Sequence, residues 1–125
     1  MEYQIQKLAE YGENIYVKVP VMNTQGKYTY DLIDKMHNKD IKLNITAIFT
    51  KSQIIEVCEQ LCKGTDTIIS VFCGRIADTG RNPKDMIECA NFHKLPWVES
   101  LWASVREVFN IYEAKSVGCD IITVT

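Results

Sequence analysis

The chain has 125 residues, with 14 lysines and arginines against 16 acidic residues and a formal net charge of −2. Its pI of about 5.7 provides neither a basic stripe for nucleic acid nor a polybasic membrane surface. No apolar run approaches the roughly 20 residues that span a bilayer, and Glu2, Gln4, Gln6 and Lys7 do not resemble a signal peptide.

A helix is expected over Glu2–Tyr11, followed by the apolar strand Ile15-Tyr16-Val17-Lys18-Val19, which Pro20 stops. Strand residues alternate faces, so Lys18 points with Tyr16 and away from Val17 and Val19. A lysine at the C-terminal end of a buried parallel strand is costly unless its amine is paired or neutral. Two roles follow. The stem can pack on apolar surface while the ammonium reaches the rim, or a desolvated amine can serve as a nucleophile toward carbonyls.

Further strand-like runs end near Thr46, Phe72 and Ser104, and a last one covers Asp120 to Val124. Amphipathic stretches separate them: Ile54, Ile55, Cys58, Leu61 and Cys62 mark one helical face, and Val108, Phe109, Tyr112 and Val117 another. Thr50 and Gln53 form a capping-box pattern, and Asn82-Pro83 suggests an N-cap with proline at the first helical position. Gly64 and Gly118 stand where helices should end. Phe92 to Val98, with Pro96 and Trp97, fits a helix-to-strand connection.

Lys18, Thr46, Arg75 and Ser104 lie at or just after strand ends and are separated by 28, 29 and 29 residues. That period matches the roughly 30 residues of a βαβ unit. The fold class expected is therefore α/β with a parallel sheet. In such folds, doubly wound or closed into a barrel, active sites lie beyond the C-terminal strand ends. The segment Pro20 to Gly26 lacks the glycine spacing of a dinucleotide or P-loop site. A barrel instead gathers polar residues from successive strands at one mouth and holds phosphate late in the sequence. Arg75, Ser104 and Arg106 fit that placement. If strand geometry persists, Ser104 and Arg106 point the same way and form a phosphate clamp with Arg75. For each arginine taken alone a surface ion pair is the commoner fate; the three residues together at regular strand ends favour the clamp.

Tyr16-Val17-Lys18-Val19-Pro20, Asn44-Ile45-Thr46-Ala47-Ile48-Phe49, Val71-Phe72-Cys73-Gly74-Arg75-Ile76 and Ala103-Ser104-Val105-Arg106 resemble successive motifs of the transaldolase family. Val117-Gly118-Cys119-Asp120-Ile121-Ile122-Thr123-Val124 resembles its last strand. The match runs in order along nearly the whole chain.

The resemblance implies a (β/α)₈ barrel and class I aldol chemistry on sugar phosphates, with no metal or cofactor. By motif position Lys18 forms the imine with the ketose carbonyl and Thr46 helps hold the proton-relaying water. Asn44 contacts substrate hydroxyls or the Schiff-base intermediate. Arg75, Ser104 and Arg106 hold the phosphate. The family function is transfer of a dihydroxyacetone unit between ketose and aldose phosphates. The alternatives are a fructose 6-phosphate aldolase, another Schiff-base aldolase on the same barrel, or a non-catalytic sugar-phosphate-binding remnant in which Lys18 is merely buried. Phe72 resembles the transferase branch, since related fructose 6-phosphate aldolases tend to carry tyrosine there.

The chain departs from the family in several places. Arg75-Ile76-Ala77-Asp78 keeps only the second acid of the family's Arg-Ile-Asp-Asp, and Trp102 and Thr125 replace smaller residues and proline. At 125 residues the chain is about half of a typical barrel of ~250. Its strands correspond to the family's fourth to eighth. The expectation is a single partial barrel domain over residues 1–125, a C-terminal part of a longer enzyme or a truncated product. The proton-shuttling aspartate, a substrate-binding asparagine and a water-holding glutamate of the family's first strands have no counterparts here. Full activity is expected to need them. Five strands leave two sheet edges open, a liability for association, so a homo-oligomer is compatible. Two copies supply ten strands, so dimerisation does not simply close an eight-stranded barrel.

The five cysteines lack paired spacing, which suggests reduced thiols and a cytoplasmic protein. Cys58 and Cys62 share a helix face, but His37 and His93 do not complete a metal-ligand pattern. Cys73, beside the expected mouth, is either a reactive thiol or, the preferred reading, a small buried hydrophobe.

Overall fold

Alternate strand residues sort by burial. Val17, Val19, Leu43, Ile45, Ile69 and Val71 are all nearly inaccessible, whereas Lys18 between the first two is exposed and Asn44 between the next two is half-buried. The computed structural model describes residues 1–125. It places these side chains against helices on one face of a single sheet.

The elements run α1 (Glu2–Ala9), β1 (Val17–Pro20), α2 (Tyr30–Asn38), β2 (Leu43–Ile48), α3 (Lys51–Glu59), β3 (Thr67–Val71), α4 (Cys73–Asp78), α5 (Lys84–His93), β4 (Val98–Trp102), α6 (Phe109–Ser116) and β5 (Ile121–Ile122). The five strands lie side by side in sequence order, and every neighbouring pair is parallel. A doubly wound sheet reverses its strand order at a switch point. This sheet never reverses. Strand after strand added in one direction, with a helical crossover each time, is the wall of a β/α barrel, here an incomplete one.

The helix-covered face carries the core, a cluster of 23 buried residues. Ile33 and Met36 of α2, Ile54 and Val57 of α3, and Ile87 and Ala90 of α5 belong to it, at the helical spacing that lets one face pack inward. Burial of such aliphatic side chains, worth about 1.5–3 kcal/mol each, is the main force joining helices to sheet. Trp102 is the largest fully buried side chain, and its indole N–H has no partner.

The local signals decide where elements begin. Thr50 Oγ1 accepts from the Gln53 N–H at 3.2 Å while Gln53 Oε1 accepts from the Thr50 N–H at 3.1 Å, completing the capping box of α3. Asn82 Oδ1 accepts from the Lys84 N–H at 3.0 Å. Pro83 takes the N-cap position, so α5 starts one residue later than the Asn-Pro pattern indicates. Gly64 and Gly118 adopt φ of 96° and 69°, reversing the chain before β3 and β5. The first helix ends at Ala9, two residues short of Tyr11.

Candidate active site at the strand ends

β1 and β2 pair with Lys18 opposite Asn44 and Pro20 opposite Thr46. That register puts Lys18, Asn44 and Thr46 on the face away from the helices. With Ser70, Phe72, Arg75, Leu101, Ala103, Ser104 and Thr123 they line a cavity of about 420 Å³. Five residues singled out in the sequence, from four separate strand ends, therefore meet at one place. The lining contains two cations, Lys18 and Arg75, and no carboxylate. Such a surface favours anions.

Lys18 is more open than a buried-strand reading anticipates. Val17 and Val19 take the two helix-facing positions of β1, so Lys18 extends over the uncovered face, where it is exposed. Its desolvation would require something to cover that face.

Asn44 is oriented by Ser70 of the neighbouring strand. Ser70 Oγ donates to Asn44 Oδ1 at 2.6 Å. With its oxygen engaged, the Asn44 amide NH₂ is free to donate into the cavity. Ser70 is 3% exposed, so little water competes for this bond. Its signal was the period-2 partnership with Phe72, which assigns both residues to the cavity face of β3.

Thr46 is buried, and its carbonyl accepts from the Val21 N–H at 2.9 Å. The ladder between β2 and β3 then slips between Ile45 and Ile48, and Ala47 takes φ of 59°. A bulge of this kind turns the strand and re-aims the residues beside it. Ser104, φ 63°, is strained in the same way at the end of β4. Left-handed backbone at a non-glycine residue costs on the order of 1 kcal/mol, and Ala47 and Ser104, two of the three such residues, stand beside the cavity.

Arg75 projects from α4, its guanidinium carbon 5.5 Å from the centroid of the Phe72 ring. Phe49 meets Phe72 edge-on at 5.5 Å. The stack steers the cation along the cavity wall. Gly74 lets α4 lie flush against the end of β4, where its N–H donates to the Ala103 carbonyl at 3.3 Å.

Arg106 stands apart. The strand ends at Trp102, and the left-handed turn at Ser104 breaks the alternation, so Ser104 and Arg106 do not share a direction. Arg106 is not among the lining residues. Its guanidinium donates to Asp78 Oδ2 at 2.9 Å.

Cys73 is fully buried, and burial pushes its thiol well above the ordinary range. A thiol so disposed is a packing group, not a nucleophile. Cys58 is pushed up to about 11, again chiefly by burial.

Residues 3–125 match the family model described as Transaldolase/Fructose-6-phosphate aldolase. A probable transaldolase of Caldicellulosiruptor saccharolyticus is 32% identical over 121 residues, covering 94% of this chain and 52% of its own length. One from Nitrosopumilus maritimus is 30% identical over 121 residues, covering 94% and 51%. One from Clostridioides difficile is 30% identical over 124 residues, covering 97% and 54%. The chain thus spans about half the length of these curated relatives. With the family model matched from residue 3 to residue 125, the chain belongs to the transaldolase/fructose-6-phosphate aldolase family.

Proposed function

We propose that this chain carries the imine-forming and phosphate-holding part of a transaldolase-type transferase. The observation that supports it most is the single cavity in which Lys18, Asn44, Thr46, Arg75 and Ser104 converge without an acidic neighbour. In this reading Lys18 Nζ attacks the ketose carbonyl carbon. The resulting carbinolamine loses water to give a protonated imine. The C3–C4 bond then breaks as the C4 hydroxyl loses its proton, the aldehyde leaves, and the electron pair is held as an enamine on Lys18. The enamine attacks a second aldehyde, and hydrolysis releases the new ketose.

Asn44 would donate its amide to a substrate hydroxyl, and Thr46 would hold the relaying water. Arg75, Ser104 and Arg106 would take the phosphate. Anchoring the distant phosphate fixes the carbonyl over Lys18 and turns binding energy into positioning. Proton transfer would fall to acidic residues of the family's first strands, so full activity needs those strands. A sugar-phosphate substrate and a cytoplasmic setting belong to the same proposal; no helix is long and apolar enough to cross a membrane.

The exposure of Lys18 favours a second reading for this chain by itself, a sugar-phosphate binder without catalysis. Incubation with fructose 6-phosphate, borohydride reduction and peptide mass mapping separates the two. An adduct on Lys18, absent from Lys18→Ala, supports the imine-forming role. A folded sample with no adduct leaves only binding.

A further inference from the structure

We propose that Asp78 is the resting counter-ion of Arg106, holding its guanidinium outside the cavity until a phosphate group displaces the carboxylate. The inference rests on the reading of Arg106 as a phosphate ligand. Its physical basis is a fixed main chain carrying a movable side chain. The Arg106 and Glu107 N–H groups both donate to Asn110 Oδ1, at 2.9 and 3.0 Å. Asn110 is 9% exposed and its own amide is held by Glu113 at 3.0 Å, so the backbone next to Ser104 is pinned.

The side chain beyond it is not pinned. Arg106 and Asp78 keep 48% and 58% of their side-chain surface in solvent. A pair this open is screened and weak, and little opposes its separation. Asp78 lies three residues after Arg75 on α4, on the same flank of that helix. Arg75 lines the cavity, and so does Ser104, two residues before Arg106. Arg106 thus sits next to the cavity while bonded to a group outside it.

A phosphate carries more charge than a carboxylate and also accepts both arms of a guanidinium. It outbids Asp78, whereas an unphosphorylated sugar does not. The pair would therefore favour phosphorylated ligands, because only they draw Arg106 inward. Release also leaves Asp78 unneutralised near the bound anion. Asp78 consequently weakens phosphate binding, and that gives the test its sign.

Inorganic phosphate is titrated into the full chain and followed by nitrogen-15 NMR, including the Arg106 side-chain Nε–H signal. Wild type is compared with Asp78→Asn, Arg106→Ala and the double variant. The changes are at exposed positions, and a urea unfolding curve for each confirms the fold. The expected result is binding tightened about two- to fivefold by Asp78→Asn, weakened by Arg106→Ala, and unaffected by Asp78→Asn once Arg106 is gone. The gain should shrink with added salt. If Arg106→Ala weakens binding but Asp78→Asn leaves it unchanged or weaker, the counter-ion role is overturned and the phosphate clamp stands. An equal gain from Asp78→Asn without Arg106 overturns the role too, since the effect is then a general field. Wild-type affinity in Arg106→Ala, or no saturable phosphate binding by wild type, overturns both.

Discussion

Gly74 and Ser104 meet backbone to backbone: a β-carbon on Gly74 would lie 1.6 Å from the Ser104 carbonyl oxygen and 3.1 Å from its Oγ. The first distance is impossible and its partner is main chain, so the end of β4 would have to move. Gly74→Ala is therefore expected to destabilise the fold by about 1–3 kcal/mol, the usual cost of overpacking. It should also displace Ser104 and weaken inorganic phosphate binding. Urea unfolding and a phosphate titration check the two effects separately. A variant with wild-type midpoint and affinity would show that the contact relaxes freely.

Ser70 offers a different kind of test, because only one hydrogen bond is at stake. Ser70→Ala removes the donor that engages Asn44 Oδ1. The stability cost should be about 1 kcal/mol. If the Asn44 amide must face the substrate, adduct formation between Lys18 and fructose 6-phosphate should slow by about tenfold, the equivalent of about 1.4 kcal/mol. Asn44→Ala should give a similar loss, and the double variant should be little worse than either. Additive losses would show that Ser70 acts independently of Asn44.

These residues also show what could be read in advance. Lys18, Asn44 and Thr46 were legible because a strand's period of two and a βαβ unit's length of ~30 residues are rigid rules. The cavity follows from them almost by counting. Arg106 was not legible: its direction depends on the left-handed turn at Ser104. No local pattern announces that turn, because Gly74, thirty residues away in sequence, makes room for the chain end there. For Ser70 the period of two gives the face but not the role: its bond to Asn44 depends on cross-strand pairing that the sequence of one strand does not reveal. The exposure of Lys18 depends on what covers the inner face, and the burial pattern of one strand says nothing about a wall contributed by others.

His37 supplies the pH dependence. It is fully buried on α2, where Nε2 accepts from the Lys63 N–H at 3.1 Å and Nδ1 lies 3.4 Å from Thr67 Oγ1. Burial, the largest effect, lowers its pKa below 6.5 with help from the Lys63 ammonium, and outweighs Asp34 and Asp40, which act to raise it. The unfolded chain, near 6.5, therefore binds the proton more readily than the folded one. Stability from neutral His37 is present above about pH 6.5 and is lost as pH falls through the folded pKa, by at most about 1.4 kcal/mol per pH unit. Urea midpoints at about pH 7.5 and about pH 5.5 should differ in wild type, and the difference should narrow in His37→Gln. An equal difference in the variant would assign the acid sensitivity to other groups.

Asp120 decides whether the last strand stays attached. β5 is only two residues long, Ile121 and Ile122, too short to hold by its ladder alone. Asp120 Oδ2 accepts from the Ser100 N–H at 2.8 Å, from Ser100 Oγ at 3.2 Å and from Lys94 Nζ at 2.5 Å. One carboxylate thus ties β5 to β4 and to the end of α5. Burial works to raise its pKa, but the Lys94 ammonium and the Ser100 donors outweigh that and leave it lowered. Because the folded carboxyl is the stronger acid, its anchoring is complete above the ordinary carboxylate range and is lost as pH falls through the lowered value. Asp120→Ala should therefore free the segment from Ile121 onward, including Thr123 of the cavity wall, while β1 to β3 remain closed. Hydrogen exchange should show faster amide exchange for Ile122 and Thr123 in the variant, with the amides of Ile45 and Ile69 unchanged. Unaltered exchange at Thr123 would mean that the Gly118 turn and the packing of Ile122 hold the strand without its anchor.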